Sequence, residues 1–135
     1  MSNSGKYHAS SRAIILGTTL LLGLVATALI FAPAEVASAL GFTGVQALPL
    51  VLQLYGAALF GLAMTGWMIR GAIVGGIFGR SYVAGNAAHA TIGAFALVRV
   101  AVAPGAPAAL VALCVAYCAL AVVFGYLMFA STPSA

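Results

Sequence analysis

The sequence predicts an all-α integral membrane protein, a four-helix up-down bundle with a short interfacial helix after the first span. Three observations carry that prediction. Of 135 residues, 64% are hydrophobic and 4% are charged, whereas soluble domains carry about 25% charged residues. The apolar residues gather into four runs, at about 13–32, 46–69, 82–103 and 107–130. Prolines, glycines and single arginines stand where those runs end. A soluble fold this poor in charge would expose aggregating patches, and a disordered chain would be polar. The whole chain, 1–135, reads as one transmembrane domain.

Residues 1–12 are polar and carry Lys6, His8 and Arg12. The run from Ala13 to Ala32 holds no charge. At ~1.5 Å per residue it is about as long as a hydrocarbon core is thick. Lys6 and Arg12 followed by Ala37-Ser38-Ala39 also has features of a secretory signal. Signal cores run about 7–15 residues, however, so the longer run favours an uncleaved first helix.

Residues 33–45 form the first connection. Pro33 can open a helix and Gly41 can close it. Val36, Ala37 and Leu40 would make one apolar face, with Glu35 and Ser38 elsewhere, which suggests a brief helix on the outer membrane surface. The second span begins near Gln46 with Pro49 in its first turn, where a missing N–H costs little. It ends on Trp67 and Arg70, a pairing typical of a membrane interface. Residues 70–81 read as a glycine-rich link through Gly71, Gly75, Gly76 and Gly79. Its apolar middle, Ile73, Val74, Ile77 and Phe78, would dip among headgroups. The third span then starts near Tyr82. Pro104-Gly105-Ala106-Pro107 reverses the chain so tightly that the third and fourth spans must be antiparallel neighbours.

The net charge of +4 does not indicate nucleic acid, because the basic residues are single and scattered. They read as anchors and as markers of orientation. Arg12, Arg70 and Arg80 fall on one side, and the first and third connections carry no basic residue. By the positive-inside rule both termini are cytoplasmic.

Two sets of polar residues deserve weight inside this apolar chain. Arg99 lies in the outer part of the third span, and Glu35, the single acid, lies just past the outer end of the first. An ion pair between them is expected, with snorkelling of Arg99 to lipid phosphate as its rival. His89 sits ~10 Å inside the cytoplasmic boundary by helical rise. Tyr82, Gly85, Asn86, His89, Gly93 and Ala96 share its face, which should turn away from lipid. Functionally, His89 could ligate haem or relay a proton. Structurally, it would bond another helix, through Gln53, Thr65 or Tyr117.

Gln53 should likewise face protein, on a stripe with Gln46, Ala57, Phe60 and Met64. Gly17 and Gly23, and the series Tyr117, Ala121, Gly125, are ordinary helix-packing signals. Thr18, Thr19 and Thr27 can bond their own backbone. Cys114 and Cys118 share a helix face and read as small packing residues.

With one acid there is no carboxylate pair for general acid–base catalysis. No phosphate loop, zinc motif or Ser/His/Asp set is present. No catalytic residue, metal or cofactor is expected, haem at His89 apart. The expected role is a non-enzymatic membrane component, an accessory or structural subunit that binds lipid, other membrane-protein subunits or a second copy. The alternative is a small cofactor-binding or transport protein built around His89, Asn86, Gln53 and Tyr117.

Two stretches carry a resemblance. They are Phe31-Ala32-Pro33-Ala34-Glu35-Val36-Ala37 leading to Leu40-Gly41, and Leu54-Tyr55-Gly56-Ala57-Ala58 with Gly61, Trp67 and Arg70. With these the chain resembles small uncharacterised bacterial four-helix integral membrane proteins. The resemblance implies a compact bundle of inner-membrane type and no particular activity.

Overall fold

The computed structural model describes residues 3–71 and 76–130. Among them the secondary structure is wholly helical: α1 (Asn3–Phe31), α2 (Pro33–Ala39), α3 (Leu48–Met68), α4 (Ile77–Ala101) and α5 (Ala108–Ala130). Four stretches are long and apolar enough to cross a membrane, Ser11–Phe31, Leu48–Met68, Ile77–Ala101 and Ala108–Phe129. The helices fall into two compact units, one holding α1–α3 and one holding α4 and α5.

In the first unit, α1 stops where the residue before a proline is pushed out of helical geometry. Ala32 has φ −132° and ψ 49°, and Pro33 opens α2. The end of α2 is a Schellman closure. Gly41 takes φ 83°, its N–H bonds Ser38 O at 3.0 Å, and the Phe42 N–H bonds Ala37 O at 2.9 Å. Ala37 is buried, Val36 packs on the core of the unit, and Glu35 and Ser38 are exposed. Pro49 lies in the first turn of α3, as its missing N–H allows.

α1 and α3 run antiparallel, since Ile30 meets Gln53, Ala26 and Leu29 meet Gly56, and Gly23 meets Ala63. Their core is Leu22, Ala26, Leu29, Leu59 and Ala63. Gly56 sets the approach: a Cβ there would stand 2.9 Å from Leu29 Cβ and 3.0 Å from the Ala26 carbonyl oxygen. The buried stripe of α3 is therefore Gly56, Leu59, Ala63 and Gly66. On the stripe expected with Gln53, Gln46, Gln53, Ala57, Phe60 and Met64 are exposed, while Gln53 itself reaches α1 at the Ile30 carbonyl. Close backbone packing through glycine and alanine decides the inward face here, not polarity.

In the second unit, α4 begins at Ile77, about one turn before the expected start at Tyr82. Gly76 is extended at φ −75° and ψ 165°, and Gly76 O accepts the Arg80 N–H at 2.9 Å. Gly79, expected to break helix, lies buried within it. A helical glycine costs only about 1 kcal/mol, whereas a non-helical turn at membrane depth would leave backbone groups without partners. The expected headgroup-layer residues Ile77 and Phe78 are helical and exposed; Ile73 and Val74 lie outside the described residues.

Ala103 to Ala106 form a turn closed by Ala106 N–H to Ala103 O at 3.2 Å. Pro104 precedes Gly105 at φ 81°, the sequence a type II turn requires. α4 and α5 return antiparallel: Tyr82 meets Phe124 and His89 meets Tyr117.

Candidate functional site

α5 presents Leu110, Cys114, Tyr117, Phe124 and Leu127 as buried residues. Their spacings of four, three, seven and three place them on one helix face. The buried stripe of α4 runs through Gly79, Tyr82, Val83, Asn86, Ala87 and Ala90. Of the face expected around His89, Tyr82 and Asn86 are buried, His89 and Gly93 are half-buried, and Gly85 and Ala96 are exposed. The aromatic pair Tyr82 and Phe124 packs edge to face, with ring centroids 6.1 Å apart.

His89 Nε2 lies 3.2 Å from the Tyr117 hydroxyl, with the two rings tilted at 53° and centroids 5.5 Å apart. The bond forms because α4 has a glycine one turn on. A Cβ built on Gly93 would overlap the Tyr117 ring, so the missing side chain is the space the ring occupies. Asn86 is buried but turns to its own helix, its Nδ2–H donating to Tyr82 O at 3.0 Å. Gln53, in the first unit, donates from Nε2 to Ile30 O at 3.2 Å and ties α3 to α1.

Of the four expected interior polar residues, the structure thus joins His89 to Tyr117. It gives Asn86 and Gln53 separate, backbone partners. Other span hydroxyls turn inward on their own helices, Thr27 to Gly23 O at 2.8 Å, Thr65 to Gly61 O at 2.6 Å and Ser81 to Ile77 O at 2.9 Å. A metal arriving at His89 Nε2 would have to displace the Tyr117 hydroxyl. Among the described residues no three His, Cys, Asp or Glu side chains come together as a metal site.

Arg12, Arg80, Arg99 and Glu35 are exposed. Glu35 belongs to the first unit and Arg99 to the second. Arg99 stands in the last turn of α4, where a cation complements the free carbonyls. Arg70 does more than anchor: its guanidinium carbon lies 4.3 Å from the centroid of the Trp67 ring, and Nη1 donates to Trp67 O at 2.6 Å. Sequence reasoning paired these residues at an interface but missed the carbonyl cap, which the spacing of three along a helix end would have suggested.

Fold and site define a multi-pass helical membrane protein. Comparison with family models, curated proteins and solved structures gives no match.

Proposed function

We propose that this chain is a non-enzymatic component of a bacterial inner membrane, with both termini cytoplasmic, acting through its helix surfaces on lipid, on a partner subunit or on a second copy. One observation supports this reading above others: the three polar side chains singled out inside the spans each have a partner within the fold. Gln53 holds α1, Asn86 holds its own backbone and His89 meets Tyr117. Many large apolar side chains of the spans are exposed, including Leu24 at 72%, Phe95 at 73% and Val122 at 72%. Such surfaces suit lipid and helix–helix association, where dispersion and small-residue packing supply the attraction.

Crosslinking in native membranes, followed by mass measurement of the purified complex, tests the proposal. A species of fixed stoichiometry, homomeric or with a membrane partner, is the expected result. The rival reading, a cofactor or transport site at His89, draws support from an ionisable side chain half-buried within a span. A Soret band, or flux in liposomes, that disappears in His89→Ala would favour that rival and sink the proposal.

A further inference from the structure

Cys114 and Cys118 are the two cysteines of the chain, and both are free thiols. They lie one turn apart on α5, Cys114 buried and Cys118 half-buried. Four residues apart on one helix, their side chains are neighbours on the same face. Helical neighbours at this spacing hold their Cβ atoms about 5–6 Å apart. A disulfide needs roughly 3.5–4.5 Å, so direct oxidation to a disulfide is disfavoured while a bridging atom fits.

We propose that Cys114 and Cys118 form a two-thiol site for a soft divalent cation that takes two ligands in line, of the mercuric type. Three arguments select that class. Thiolate sulfur favours soft metals. Zinc wants four protein or water ligands, and no third His, Cys, Asp or Glu joins these two among the described residues. Cys118 also falls near the middle of the Ala108–Phe129 span, where an uncompensated charge is expensive. Two thiolates on a monovalent ion would leave a net negative charge, whereas two on a divalent ion are neutral.

The cation would arrive as a neutral dichloride able to enter lipid. Two S–H bonds break and two metal–sulfur bonds form. Two protons and two chlorides leave, and no atom is oxidised or reduced. This site adds a ligand to a chain otherwise read as acting through its surfaces, and it stands independently of that reading.

The probe is mercuric chloride, added at one equivalent to the reduced full-length protein in detergent after reductant is removed. One mercury per chain, with both thiols closed to maleimide, is expected. Chelation also predicts resistance to a monothiol competitor. Stripping mercury from the native protein should need about tenfold or more competitor than from Cys118→Ser, since the second thiol acts at high effective concentration. A second variant, Cys118→Ser with Ala119→Cys, keeps two thiols but turns one off the shared face, and it should behave like the single variant. Two mercury atoms per native chain, or equal resistance in all three proteins, would overturn the site.

Discussion

The Tyr117 hydroxyl stands 3.2 Å from His89 Nε2, across the seam between α4 and α5. The same ring fills the space that Gly93 leaves open. Polar bond and close packing are therefore two halves of one contact, and they can be separated. Tyr117→Phe keeps the ring and removes the hydroxyl, so it should cost about 1 kcal/mol, read as a lower unfolding midpoint in detergent. Gly93→Ala drives a methyl against the ring and should cost about 1–3 kcal/mol. In a Tyr117→Ala background the obstacle is gone, and Gly93→Ala should then cost nothing further. A full penalty there would show that the ring is not what Gly93 accommodates.

Gly56 and Gly61 lie on the same helix but meet different surroundings. A methyl at Gly56 would press on the Leu29 Cβ and the backbone carbonyl of Ala26, while at Gly61 nothing lies within 4 Å. Backbone cannot swing aside as a side-chain tip can, so Gly56→Ala should destabilise by about 1–3 kcal/mol. Gly61→Ala should be neutral or stabilising by up to ~1 kcal/mol, the helix propensity of alanine over glycine. Thermal unfolding by circular dichroism distinguishes them, and equal effects would refute the assignment of Gly56 to the contact.

The spans were legible because apolar runs of membrane length, closed by Pro33, Arg70 and Pro104, leave little choice of structure. The α4–α5 turn was legible for the same reason, proline followed by glycine. The start of α4 was not, because Gly76 and Gly79 look alike in sequence. One is the extended residue before the helix, and the other is buried inside it. Gln53 does meet protein, at the Ile30 carbonyl, but it reaches there from an exposed position beside the buried stripe of α3, because its side chain is long. Tyr117 stood among three expected partners of His89. Choosing it required the register of α4 against α5, which a short turn constrains only loosely.

Thr19 is 5% exposed, and its Oγ1 makes no hydrogen bond among the described residues. Thr27, two turns on, donates to Gly23 O. A buried hydroxyl without a partner costs about 1–3 kcal/mol, and an apolar group of the same shape removes that cost. Thr19→Val should therefore raise the unfolding midpoint in detergent. Thr27→Val gives up a satisfied bond and should yield no such gain. A loss of stability in Thr19→Val would mean that the hydroxyl has a partner in the folded protein.

Arg70 combines two roles that different substitutions should divide. Its charge marks one end of α3, and its guanidinium both covers the Trp67 ring and caps the Trp67 carbonyl. Lysine retains the charge but lacks the planar fork that does both at once. Arg70→Lys should keep the proposed orientation, read by cysteine-accessibility labelling of residues near the termini. It should still lose up to about 1 kcal/mol from the cation–π contact at an exposed site. Arg70→Gln removes the charge as well, so it should lose similar stability and also weaken the orientation signal. If lysine matched arginine in the unfolding midpoint, the contacts to Trp67 would contribute nothing measurable, and Arg70 would act through its charge alone.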